Sequence, residues 1–149
     1  MKVRLIGIGN PGRQDDGLGA ALVDEIDKAK KGAISNVEAV WKYQLNIEDA
    51  GLIKDRDYVV FADATTEVDA PARLAEIAPA SEIAFTTHAL APESVLALSE
   101  ELYGRAPKAY VLAIRGYAWD IGEGLSPQAS ANLTSAVSLL ADFLKLRES

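Results

Sequence analysis

The sequence predicts a single α/β domain, a three-layer α/β/α sandwich around a mostly parallel five-stranded sheet. Short, nearly continuous apolar runs alternate with amphipathic segments of helical spacing, a pattern typical of parallel strands covered on both faces. The length of 149 residues suits one compact domain, and a content of 49% hydrophobic and 25% charged residues is ordinary for a globular chain. We therefore expect residues 1–149 to form one domain.

The amino-terminal half contains three strand patterns and two helix patterns. Residues 3–8 are an apolar run that ends in a glycine-rich turn, and residues 17–30 repeat apolar side chains at helical spacing. Residues 37–43 predict a second strand, and Asn46 is a candidate cap of a short helix through Leu52. A third strand, YVVFAD, is predicted for residues 58–63.

The carboxyl-terminal half adds two strands and two helices. Residues 73–78 alternate in polarity and follow the third strand with no helix between, so they could form an antiparallel edge strand. Pro92 opens a helix that runs to about residue 103, and residues 109–114, AYVLAI, predict the fifth strand. Ser126 is the expected cap of a long final helix.

Composition excludes several classes of partner and site. The net charge of −7 disfavours nucleic acid and anionic membrane surfaces, and the absence of cysteine excludes disulfides, thiol nucleophiles and thiolate metal sites. The first strand pattern begins within three residues of Met1, which leaves no room for a secretory leader, and no apolar run approaches the roughly 18 residues of a membrane span. We expect a cytoplasmic protein that works as a monomer.

Three polar residues follow the carboxyl ends of predicted strands, where open parallel sheets bind their ligands. Asp16 closes the loop after the first strand, Asp63 ends the third, and His88, the only histidine, lies in the TTHALAP loop before the third helix. Each has a structural alternative: a helix cap, a turn carboxylate and a loop residue bonded to backbone. Together they predict a three-ligand site for a divalent metal with open coordination positions.

The chemistry of this ligand set predicts a weak metal site. Two carboxylates and one imidazole bind a transition metal less tightly than three histidines or cysteines do. A metal that arrives with the substrate therefore fits better than a resident one. Such a metal would polarise a peptide carbonyl and lower the pKa of a bound water.

The glycine-rich turn also allows two other interpretations. Gly7, Gly9 and Gly12 satisfy the dinucleotide-binding pattern G-x-G-x-x-G. However, Pro11 and the pair Asp15–Asp16 lie where a pyrophosphate needs free amides and no negative charge. In addition, no ribose-binding acid ends the second strand. The segment GIGNPG also resembles the opening of peptidyl-tRNA hydrolases. That family continues with a catalytic histidine and needs a basic groove, whereas this chain continues RQDDGLG and is acidic.

Four motifs in order carry a more specific resemblance. GIGNPGRQDDGLG, FADAT, TTHALAP and IRGYAWDIGEGLSP resemble the nickel-iron hydrogenase maturation proteases over about four-fifths of the chain. The resemblance implies one cut near the carboxyl terminus of the hydrogenase large-subunit precursor after nickel insertion. It also implies that Asp16, Asp63 and His88 contact a divalent metal, the nickel that the substrate supplies, and take part in catalysis. Asp16 is the first choice for the general base.

Further expectations depend on this interpretation. The loop of residues 116–125, with Trp119 and Glu123 exposed, is a candidate wall of the substrate groove, or else a surface loop packed on the last helix. Asp15 is expected to cap helix amides and to make no metal contact. A non-cleaving, nickel-dependent chaperone for the same precursor would need the same three ligands, so the sequence leaves that alternative open.

Overall fold

The computed structural model describes residues 1–83 and 90–148 and contains a five-stranded sheet in the order β2-β1-β3-β5-β4. The first four strands of that order are parallel, and β4 pairs antiparallel with β5 at one edge. This confirms the predicted mostly parallel sheet and its antiparallel edge strand. The strands are β1 (Val3–Ile8), β2 (Val37–Lys42), β3 (Tyr58–Thr65), β4 (Ala72–Ile77) and β5 (Lys108–Arg115).

Helices cover both faces of the sheet, as predicted. One core cluster joins α1 and α4 to one face, and a second joins α2 and α3 to the other. The helices are α1 (Leu18–Lys28), α2 (Ala50–Ile53), α3 (Pro92–Tyr103) and α4 (Pro127–Glu148). Within the described ranges, no helix has the length and apolar character needed to span a membrane.

One predicted boundary was wrong and one short element was not predicted, and both affect the site. A 3-10 turn, Gln14–Gly17, precedes α1, so the paired acids lie in a tight turn before the helix. Strand β3 continues two residues beyond Asp63, because its pairing with β5 extends to Thr65. Its pairing with β1 has already ended at Ala62. Asp63 therefore lies one residue beyond the last β3 residue that pairs with β1, while β1 itself stays paired with β2 through Ile8.

Close packing of α1 on β1 fixes the position of the loop between them. A Cβ on Gly7 would lie 2.2 Å from the carbonyl oxygen of Gly19, so any larger residue at this position would force the strand and the helix apart. The loop must then turn sharply between two elements in backbone contact. This geometry directs the 3-10 turn over the carboxyl end of the sheet.

Candidate active site

A pocket of about 640 Å³ at the carboxyl ends of the strands contains both predicted carboxylates, Asp16 and Asp63. Its volume lies in the range of small-ligand and peptide sites. The loops after β1 and β2, strands β3 and β5, and the start of α3 all contribute to it. The lining residues are Ile8, Gly9, Asp16, Tyr43, Gln44, Leu45, Phe61, Asp63, Leu90, Ala91, Pro92, Glu93 and Val111.

Asp63 lies in a largely apolar part of this pocket. Phe61, two residues earlier on the same face of β3, is fully buried, and Val111 of β5 lines the same wall. Burial raises the pKa of the Asp63 carboxyl to about 6; the bond from the Ala64 N–H opposes the rise, and the negative charge of Asp16 adds to it. The two carboxylates are therefore close enough to interact electrostatically.

Each carboxylate is oriented by one hydrogen bond from a backbone N–H group. Oδ2 of Asp16 accepts the N–H of Asn10 at 2.8 Å, and Oδ1 of Asp63 accepts the N–H of Ala64 at 2.8 Å. Within residues 1–83 and 90–148, the second oxygen of each carboxylate has no hydrogen-bond partner. As far as the described residues go, one oxygen of each acid is thus open to a substrate or a metal.

The loop that carries Asp16 is supported by two aromatic side chains at the end of β2. The indole Nε1–H of Trp41 donates to the carbonyl oxygen of Gly9 at 2.8 Å, and the Tyr43 hydroxyl donates to Oδ1 of Asn10 at 2.8 Å. Gly9 has φ +133°, and a Cβ there would lie 2.1 Å from the carbonyl oxygen of Asp16. Gly9 is therefore required by both backbone conformation and space.

The amides of the glycine-rich turn are already used within the protein. A phosphate-binding loop leaves such N–H groups free to cradle its ligand. In this chain the N–H of Gly9 donates to the carbonyl oxygen of Lys42, and that of Asn10 donates to the Asp16 carboxylate. The N–H groups of Gly12 and Arg13 both donate to oxygens of Asn10, and that of Gln14 donates to the carbonyl oxygen of Gly122. This arrangement argues against the dinucleotide-binding interpretation.

Asp15 joins the loop after β1 to the loop after β5. It is fully buried, and its carboxylate accepts the N–H groups of Tyr117, Ala118 and Ser126 and the Ser126 hydroxyl, at 2.7–2.9 Å. Burial opposes ionisation, but these four bonds outweigh it and lower the pKa of Asp15. The expectation that Asp15 caps the following helix was wrong: within the described residues no side-chain hydrogen bond caps α1, and the amides that Asp15 binds lie more than a hundred residues away in sequence.

The loop of residues 116–125 packs on the glycine-rich turn through these bonds and the Arg13–Gly122 bridge. Trp119, expected to be exposed, is half-buried because its ring lies over Gly116. Among the described lining residues of the active-site pocket, none comes from this loop. Tyr43 and Glu93 also line the pocket and were not predicted as site residues. Glu93 follows Pro92 in the first turn of α3, so in the sequence it has only the ordinary signature of a helix start.

His88, the third predicted site residue, lies outside the described residues. Leu90, two residues later in the sequence, lines the pocket, and its N–H donates to the carbonyl oxygen of Leu45 at 3.2 Å. In the part of the chain that the structure describes, no three histidine, cysteine, aspartate or glutamate side chains are grouped to hold a metal. The described part of the site therefore supplies both predicted carboxylates, Asp16 and Asp63, together with the carboxylate of Glu93 at the start of α3.

Comparison with solved structures shows that the fold is that of nickel-iron hydrogenase maturation proteases. The chain is similar to the hydrogenase maturating endopeptidase HybD from E. coli, with a TM-score of 0.74 and 20% identity over 99% of this chain and 94% of that one. It is also similar to the [NiFe] hydrogenase maturation protease HycI from Thermococcus kodakarensis, with a TM-score of 0.71 and 22% identity over 97% and 92%.

A third structure, the hydrogenase 2 maturation peptidase from a Thaumarchaeota archaeon, has a TM-score of 0.66 and 19% identity over 97% of this chain and 98% of that one. No family model and no curated protein matches the sequence. The resemblance predicted from four motifs is therefore confirmed as a likeness of fold, along nearly the whole chain.

Proposed function

We propose that this chain is an endopeptidase that removes a carboxyl-terminal peptide from the nickel-loaded precursor of a nickel-iron hydrogenase large subunit. The observation that carries the proposal is the pair Asp16 and Asp63 in one pocket, each with a free oxygen. The pocket lies at the edge of a sheet whose fold is shared by solved maturation proteases. The apolar walls of the pocket suit a peptide segment.

In this proposal Asp16, Asp63 and His88 contact the nickel of the precursor, which is part of the substrate. Carboxylate oxygens and imidazole nitrogen are ligands that nickel accepts. A divalent metal beside a peptide bond polarises its carbonyl and lowers the pKa of a bound water. Asp16 also serves as the general base: one carboxylate oxygen contacts the nickel, and the other, oriented by the Asn10 N–H, has a second lone pair that accepts a proton from water.

The test is the mass of the large subunit after incubation with this protein. We expect a shortened carboxyl terminus when the precursor contains nickel and the full mass when it does not. Replacing Asp16, Asp63 or His88 by alanine should abolish the cut, whereas Asp27→Ala, on the exposed surface of α1, should leave it intact. An unchanged mass together with a stable complex would instead identify a non-cleaving chaperone. Equal cutting by Asp16→Ala and the unmodified protein would refute the assigned mechanism.

A further inference from the structure

A second pocket, of about 370 Å³, lies beside the candidate active site, on the other side of the aromatic side chains of β2. It is formed by the glycine-rich turn, the start of α1, the end of β2 and the loop before α4. No lining residue is common to the two pockets. The function proposed above leaves this second pocket unused.

The second pocket, called the slot below, is lined by the aromatic ring of Trp41 and by small residues around the start of α1. Gly17, Ala20 and Ala21 line it and present almost no side-chain volume. The indole of Trp41, which is 42% exposed, also lines it. The Trp41 Nε1–H bond to Gly9 and a tilted contact with the Tyr43 ring, 5.6 Å between centroids, fix the indole. The slot therefore exists before any ligand binds.

Asp24 supplies the only charge among the described residues that line the slot. It is exposed, and within residues 1–83 and 90–148 it makes no ion pair or hydrogen bond. Its neighbours on the helix differ, because Glu25 pairs with Lys28 and Asp27 with Lys30. An aromatic face next to an unpaired carboxylate is the combination that recognises a long cationic side chain.

We propose that this slot is a secondary binding site that receives a lysine or arginine side chain of the protein substrate. The aliphatic stem packs between Trp41 and the alanines of α1, and the cationic group approaches Asp24. The overall charge of −7 favours such a partner. Neighbouring residues line the two pockets: Trp41 and Pro11 line the slot, and Tyr43 and Gly9 line the active-site pocket. In this proposal one extended segment of the substrate, which rises roughly 3.3 Å per residue, occupies both.

The identity of the partner rests on the proposed function, and steady-state processing of the nickel-loaded precursor tests it. We expect Asp24→Asn to raise KM roughly two- to fivefold with kcat unchanged, as suits loss of an exposed ion pair. Asp24→Lys should raise KM further, and Ala21→Leu, which fills the slot, should act in the same direction. Asp27→Asn is the matched control, since it makes the same charge change on the same helix outside the slot. Equal KM values for Asp24→Asn and Asp27→Asn would overturn the proposal.

A binding experiment without the precursor separates failure of the slot from failure of the proposed function. The probes are N-acetyl-arginine methylamide and its uncharged counterpart N-acetyl-norleucine methylamide, titrated into the full chain. We expect the arginine probe to shift the Trp41 indole N–H resonance, the norleucine probe to shift it much less, and Asp24→Asn to abolish the difference. Equal shifts from both probes, or a Trp41 resonance that neither moves, would refute the site even if the precursor is processed. Conversely, a selective arginine shift supports the slot even if the precursor is not cut.

Discussion

Replacing Asp63 by asparagine should stabilise the protein while abolishing its proposed activity. In the absence of a metal, the Asp63 carboxylate is ionised at neutral pH in a pocket where burial and the charge of Asp16 both disfavour ionisation. Asparagine has nearly the same shape and keeps an oxygen for the Ala64 N–H bond. The substitution therefore removes the unfavourable charge with little change in packing.

The magnitude follows from the pKa of Asp63. A rise from the ordinary value of 3.8 to about 6 corresponds to about 3 kcal/mol. Asp63 is only partly buried by solvent accessibility, so we expect about 2 kcal/mol after allowance for screening. A gain of that size raises Tm by roughly 4–8 °C in a chain of this length.

The sign of the pH dependence is also determined. Because the folded-state pKa of Asp63 lies above its unfolded value, the folded protein binds the extra proton between about pH 4 and pH 6. Its stability contribution is fully present below pH 4 and is lost as the pH rises through about 6. The advantage of Asp63→Asn should therefore be near zero at pH 4 and reach its full size at pH 8.

Urea unfolding of metal-free protein from pH 4 to pH 8 measures this difference. Asp69→Asn, at an exposed loop position after β3, is the control and should follow the unmodified protein at every pH. The reasoning is refuted if Asp63→Asn is no more stable than the unmodified protein at pH 8. It is equally refuted if its advantage grows as the pH falls.

Two further substitutions test the supports of the site. Asp15→Asn should cost about 2 kcal/mol in urea unfolding at pH 7, because an amide cannot accept all four bonds made by the buried carboxylate, and a smaller loss would contradict its proposed linking role. Gly9→Ala should lower both stability and precursor processing, because its Cβ would overlap the Asp16 carbonyl. Gly32→Ala, also at positive φ but with no atom within 4 Å, should lose stability alone and leave processing unchanged.

Most of the fold was predictable from the sequence, and so was the proximity of two candidate site residues. All five strands and four helices formed where their apolar periodicity indicated, because that pattern is local. Asp16 and Asp63 were expected at one edge of the sheet and do line one pocket, because parallel strands bring their carboxyl ends together. His88 stays a prediction. The end of β3 was misjudged because it depends on pairing with β5, which its own residues do not encode.

The sequence by itself determined the layered α/β architecture and placed two acids at one edge of the sheet, because periodicity, turn residues and strand ends are properties of short segments. Only the tertiary structure decided what surrounds those acids. The raised pKa of Asp63, the bonds from the loop after β5 to Asp15, and the Trp41 slot all arise from contacts between segments far apart in the chain. Those contacts depend on strand order and register, which are set when the whole sheet assembles.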